Sequence, residues 1–249
     1  MLFRRSYLLF LALIQIFLLL PSCHDSKKTS PDRKRKIKQI QTQVKRLDSV
    51  QPDEVNNAIQ ELRQIGASAV PILVEALEHD SVQLRSNSAR ALPVLGASSY
   101  QAIPALIQAL SDKQASVRQQ AAFSLGLIGA LTNIQSSNTN DTLVKRMLPA
   151  LVSTLDDESI AVRSNAASAL GMLGEIAVDA VPVLVEALDS PDSNFRADIV
   201  AALGLIGEPK NIVISKLTES LKDESLDVRQ CASFHLERLS AIDSVVAPP

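Results

Sequence analysis

The chain has 249 residues, enough for one or two domains with a sizeable core. Hydrophobic residues make up 46% but aromatics only 3%, with no Trp, so no stacking platform for single-stranded nucleic acid can be built. Two Cys exclude a disulfide framework, and three His leave little for a metal centre.

The net charge of −2 hides a divided chain. Residues 1–48 hold eleven Lys/Arg and three Asp/Glu, whereas residues 49–249 hold 14 and 24. The acidic body repels a phosphate backbone, so nucleic acid is not an expected partner.

At the N-terminus, Arg4 and Arg5 precede an apolar run, residues 7–20, interrupted only by Gln15. Fourteen residues fall short of a membrane span, and a charged start followed by a short apolar run is the layout of an export signal. Leu20-Pro21-Ser22-Cys23 then resembles the bacterial lipobox, although Pro21 stands where that motif usually has Ala, Ser or Thr. The resemblance implies cleavage before Cys23 and lipidation of Cys23, hence an exported, membrane-anchored protein of periplasmic or extracytoplasmic address. Residues 1–22 read as the signal peptide and 23–31 as a flexible tether. The basic part, Lys27-Lys28 with Arg33-Lys34-Arg35-Lys36 and Lys38, suits an anionic lipid surface or a solvated helix face.

The remainder repeats. Arg85, Arg118, Arg163, Arg196 and Arg229 are 33, 45, 33 and 33 residues apart. Pro71, Pro104, Pro149 and Pro182 stand 14 residues before the first four of these, and Gly96, Gly129, Gly174 and Gly207 stand 11 residues after them. The step of 45 contains a 12-residue insertion, 130–141, which reads as a polar loop. A period of this size means a solenoid. Each unit reads as two helices. The first opens at the Pro, which is tolerated where an N–H has no partner. The second carries a stripe such as Val162, Ala166, Leu170 and Leu173, at i, i+4, i+8 and i+11, and ends at the Gly. Gly126, Gly171 and Gly204, three residues before each final Gly, allow close helix contact; Pro93 replaces that Gly in the first unit, where a kink or early end is expected.

Pro104-Ala-Leu-Ile-Gln-Ala-Leu110 and Val162-Arg163-Ser-Asn-Ala166-Ala167-Ser-Ala169-Leu170-Gly171-Met-Leu173-Gly174 resemble the short HEAT-like repeats of phycobilin lyase subunits. The resemblance implies an all-α fold, a right-handed α-solenoid of about six two-helix repeats. Five repeats span 68–240, a degenerate helical pair occupies 32–67 (stripes Ile37, Ile40, Val44, Leu47 and Val55, Ile59, Leu62, Ile65), and 241–249 is a tail.

Candidate functional residues are sparse. The five register arginines Arg85, Arg118, Arg163, Arg196 and Arg229, with an Asp or Glu in each turn, suggest a structural ladder linking neighbouring repeats. Arg90, Phe123, Leu127, Met172 and Leu205, with Phe234, fall on one face of the second helices and form the candidate partner surface, unless these side chains fill gaps between repeats. Cys231 and His235 lie at i, i+4, but two ligands make no zinc site. No catalytic, cofactor-binding or metal-ligating set is found, and no small-molecule substrate is inferred. The His-Glu pairs of the HEAT-like deoxyhypusine hydroxylases are missing. The expectation is therefore a non-enzymatic, membrane-anchored scaffold that binds another protein. The alternative implied by the resemblance is a phycobilin lyase-like subunit acting on a tetrapyrrole.

Overall fold

The computed structural model describes residues 31–135 and 142–246. The signal segment, Cys23, the tether and residues 136–141 of the insertion lie outside the described residues. All regular structure among the described residues is helical. The α-helices are α1 (Pro31–Arg46), α2 (Pro52–Ile65), α3 (Val70–Ala76), α4 (Val82–Ala91), α5 (Ile103–Ala109) and α6 (Ala115–Gln135). They continue with α7 (Thr142–Thr154), α8 (Ile160–Leu173), α9 (Val181–Glu186), α10 (Ser193–Ile206), α11 (Lys210–Ser220) and α12 (Leu226–Val246).

Two compact units are distinguished, Met1–Gln39 and Ile40–Pro249. In the first, the described residues are the exposed opening turns of α1. Ile37, expected on a buried stripe, lies there and is exposed, whereas Ile40, Val44 and Leu47 belong to the second unit and are buried.

The second unit is the repeat stack. First helices α3, α5, α7, α9 and α11 each pack on their own second helix, α4, α6, α8, α10 and α12, and successive second helices pack on one another. Core residues recur in register: Leu73, Leu106, Leu151, Leu184 and Leu217 are fully buried on the first helices, as are Leu92, Leu125, Leu170 and Leu203 at the second. Each such Leu contributes about 2 kcal/mol relative to exposure, and only a neighbouring hairpin provides the cover.

Sharp stops separate the helices. Gly66, Gly96, Gly174 and Gly207 all have φ between 59° and 73°. At Gly174 this ends α8 with ψ −137°, a region closed to side-chain-bearing residues, and a 3₁₀ stretch (Gly174–Ala180) then leads into α9. The stretch Ile160–Asp189 is long and apolar enough to cross a membrane, but it is broken at Gly174 and is core of the stack.

Three sequence expectations need correction. Gly129 does not stop its helix: α6 runs through it to Gln135, so 130–135 is helix and not loop, because Ala130 and Leu131 favour continued helix and Gly alone does not forbid it. Pro149 does not open its helix, since the inserted residues let α7 start at Thr142 and leave Pro149 inside. The tail from 241 is helical to Val246, as no Pro or Gly interrupts it before Pro248.

At Pro93 the second helix does end early. α4 stops at Ala91 and a 3₁₀ stretch begins at Leu92. Pro93 has no N–H for the Ala89 carbonyl four residues back. The buried Ser124 hydroxyl from α6 donates to that carbonyl instead, at 2.8 Å. A defect in one repeat is thus satisfied by the next.

Candidate functional site

The turns joining first to second helices share one construction. The residue six before the register arginine accepts the N–H two positions on: His79 Nδ1 from Ser81, Asp112 from Gln114, Asp157 from Ser159, Ser190 from Asp192 and Asp223 from Ser225. The arginine then donates Nη1 to carbonyls of its own turn: Arg85 to His79 and Asp80, Arg118 to Asp112 and Lys113, Arg163 to Asp157 and Glu158, Arg196 to Ser190, and Arg229 to Asp223 and Glu224.

The opposite edge of the guanidinium reaches the next turn. Arg85 grips Asp112 with Nε and Nη2 at 2.7 and 3.0 Å, Arg118 grips Asp157 at 2.6 and 2.8 Å, and Arg196 grips Asp223 at 2.9 and 2.8 Å. These are bidentate, charge-assisted pairs with side chains about nine-tenths buried. Glu158 and Glu224 add exposed second contacts. The Arg118 fork holds the Asp157 carboxyl below its ordinary value, and the Arg196 fork does the same for Asp223. Burial alone pushes Asp112 up, but the Arg85 fork, the Gln114 N–H and nearby positive charge outweigh it and hold it low.

The ladder has one missing rung. Opposite Arg163 stands Ser190, and Arg163 lies 5.4 Å over the Phe195 ring instead. Arg229 faces no following turn among the described residues. Caps vary as well: Ser81 and Asp192 accept from Leu84 and Phe195 N–H, while Ser159 makes no such bond.

The second-helix layer carries the candidate partner surface. Arg90 is exposed and donates to Asn56 Oδ1 of α2. Phe123, Leu127 and Met172 are half-buried, Leu205 is 44% exposed and Phe234 is 62% exposed. Met172 and Leu205 also serve the stack: Met172 Sδ lies 3.2 Å from where a Cβ on Gly126 would be, and Leu205 Cδ1 lies 3.1 Å from the same point on Gly171. The two sequence readings, gap filling and exposed patch, therefore hold together for Leu205. Beside it a groove of about 1010 Å³ opens at the glycine ends of α8 and α10, walled by Glu175, Asp179, Lys210 and Arg238.

Close approach of the second helices depends on the glycines. A Cβ on Gly126 would stand 2.6 Å from Ala169 Cα, and one on Gly204 would stand 2.2 Å from His235 Cγ. His235 therefore occupies the place of Ala169 and Ala202, stacked on Gly204 and edge-on to Phe234 at 5.1 Å. It is buried, its Nδ1 has no partner, and burial followed by the charge of Arg238 lowers its pKa. Cys231 directs Sγ to the Ala197 carbonyl of α10, and burial followed by the Asp198 charge raises the thiol. Both side chains of this pair thus pack on α10. Among the described residues no three His, Cys, Asp or Glu side chains converge as metal ligands.

Sequence reading missed three features: the Ser124–Ala89 bond beside Pro93, His235 on Gly204, and the open rung at Arg163. The last had a signal, a Ser six residues before Arg196 where most other turns have Asp.

A family model for HEAT repeats matches residues 41–126, 70–148, 103–189 and 148–236, overlapping windows that run through the whole stack. The chain belongs to the HEAT-repeat family. Among solved structures it is similar to the complex of CpcE and CpcF of phycocyanin lyase from Nostoc sp. PCC7120, with 26% identity, TM-score 0.59, and coverage of 67% of this chain and 98% of that one. A designed armadillo repeat protein in complex with peptide (KR)4 gives TM-score 0.58 at 20% identity, covering 80% and 99%. An engineered protein gives 0.57 at 23%, covering 81% and 98%. The last two similarities bear on fold alone. No curated protein matches in sequence.

Proposed function

We propose that this HEAT-repeat protein is a non-catalytic scaffold, anchored to a membrane through Cys23, that binds another protein along its second-helix layer. The observation that carries the reading is the apolar row on that layer, where Leu205 and Phe234 remain 44% and 62% exposed although the stack beneath them is closed. Large apolar side chains left in water on one face mark a contact surface. Repeat stacks bind along such extended faces. The anchor rests on the lipobox-like Leu20-Pro21-Ser22-Cys23. Crosslinking in membranes followed by affinity capture tests the binding. Phe234→Ala should lose the captured partner while melting temperature holds, and capture unchanged by Phe234→Ala and Phe123→Ala together contradicts the surface. Fatty-acid labelling should mark the wild type and not Cys23→Ala.

A second reading, a phycobilin lyase-like subunit, is favoured by the 26% identity with the CpcE–CpcF complex. It predicts that the purified protein binds a bilin and transfers it to an acceptor protein. A chain that takes up no chromophore from a bilin solution counts against it.

A further inference from the structure

Three rungs of the arginine ladder define what the fourth lacks. Arg163 is held like its peers, with Nη1 on the Asp157 carbonyl at 2.8 Å and on the Glu158 carbonyl at 3.5 Å. In Arg85, Arg118 and Arg196 this hold aims Nε and Nη2 at a carboxylate of the next turn. For Arg163 the equivalent residue is Ser190, whose Oγ accepts the Asp192 N–H at 3.3 Å and so leaves its own O–H free to donate. Neither Nε nor Nη2 of Arg163 has an acceptor among the described residues. Asp192, two residues on from Ser190, accepts the Phe195 N–H with Oδ1 at 2.8 Å and makes no ion pair with Arg163. Arg118 and Arg196 are each 7% exposed, whereas Arg163 is more open, with the buried Phe195 ring beneath it. An aromatic floor steadies a guanidinium without using its in-plane donors.

We propose that Arg163, Ser190 and Phe195 form a binding site for an external carboxylate, which completes the rung as Asp112, Asp157 and Asp223 complete theirs. Ser carries Oγ where Asp carries its carboxylate carbon, so the two oxygens that Asp112, Asp157 and Asp223 offer a guanidinium edge are missing here, and an external carboxylate supplies them. The guanidinium edge supplies two parallel donors and the Ser190 hydroxyl a third, the pattern that selects a planar carboxylate over a spherical anion. The carboxylate comes either from a small free acid or from an Asp or Glu side chain presented in a turn.

The test uses the arginine Nε–H resonances of the full chain in a ¹⁵N-edited NMR spectrum. Sodium acetate, titrated against sodium chloride at equal ionic strength, should move the Arg163 signal saturably and leave Arg85, Arg118 and Arg196 in place. Arg229 has the same open edge but no facing turn, and should move less. The capped peptide Asp-Glu-Ser, copying residues 223–225, distinguishes the sources: tighter binding than acetate assigns a side chain in a turn, equal binding a free acid. Ser190→Asp should place the Arg163 signal beside those of the filled rungs, abolish its response to both probes, and raise the melting temperature by about 2–4 °C. An Arg163 response no larger than that of Arg229, or an acetate response that survives Ser190→Asp, would overturn the site.

Discussion

The α6–α8 junction and the α10–α12 junction use one register with different occupants. At the first, Gly126 meets the Ala169 backbone, two small residues that let helix axes approach closely. At the second, Gly204 meets the imidazole of His235. One repeat further the glycine position is Glu237, which is exposed. In the same repeat Ser233 stands where Ala89, Ala122, Ala167 and Val200 are fully buried. The difference teaches that a position in this fold has no fixed role: a neighbour on the far side makes it core, and the lack of one makes it surface. The fifth repeat exchanges small residues for polar ones along its second helix, with Ser233, His235 and Glu237 where the others have Ala, Val, Ser or Gly at most of these positions.

Substitutions at matched positions break or sharpen that comparison. Gly126→Ala should have the largest effect, on the order of 3 kcal/mol, because the new Cβ meets backbone at 2.6 Å and the two helices must separate. Glu237→Ala, the same register in the last repeat, should change stability by less than about 0.5 kcal/mol. Chemical denaturation of both variants checks the pair. Asp157→Ala should cost about 3 kcal/mol, since it removes the bidentate partner of the buried Arg118 and leaves only the exposed Glu158 contact. Ser190→Ala, at the rung that holds no ion pair, should cost far less. Ser124→Ala should cost about 1–2 kcal/mol by orphaning the Ala89 carbonyl, and much less in a Pro93→Ala background, where a backbone N–H returns to that carbonyl.

The pH dependence has two parts. Asp112, Asp157 and Asp223 titrate lower folded than unfolded, so their contribution is complete above the ordinary carboxylate range and is lost as pH falls through their depressed values. His235 is also lowered, so the unfolded chain takes up its proton first and stability declines as pH falls below about 6.5. Melting temperatures from pH 8 to pH 5 should show this decline in the wild type and a flatter profile in His235→Ala, which restores the residue found in three of the four other repeats. Phe234→Ala should have the smallest effect on stability, within about 0.5 kcal/mol, because the ring is mostly in solvent.

The period, the two-helix unit and the family were legible because Pro, Arg and Gly recur for separate physical reasons at separate places in each hairpin. The Arg85, Arg118 and Arg196 ladder was legible for the same reason, once each arginine was set against the acids of the following turn. Less legible were departures decided by what lies across the stack. Gly129 stays helical because its neighbours allow it and Leu173 closes over it, its Cδ2 2.2 Å from a would-be Cβ. Ser124 is polar in a fully buried position because Pro93 of the preceding repeat has left the Ala89 carbonyl bare. His235, on an i, i+4 spacing with Cys231 that resembles a ligand pair, turns out to be a packing residue over Gly204. Such roles depend on the partner repeat and cannot be read from one helix alone.

Hydrogen–deuterium exchange on full-length Gly126→Ala tests the central claim most directly, that each hairpin is sheltered by its neighbours through the second-helix register. Faster exchange concentrated in α6 and α8, with α12 close to wild type, is the predicted result. Exchange raised evenly from α2 to α12, or unchanged at α6 and α8, would contradict it.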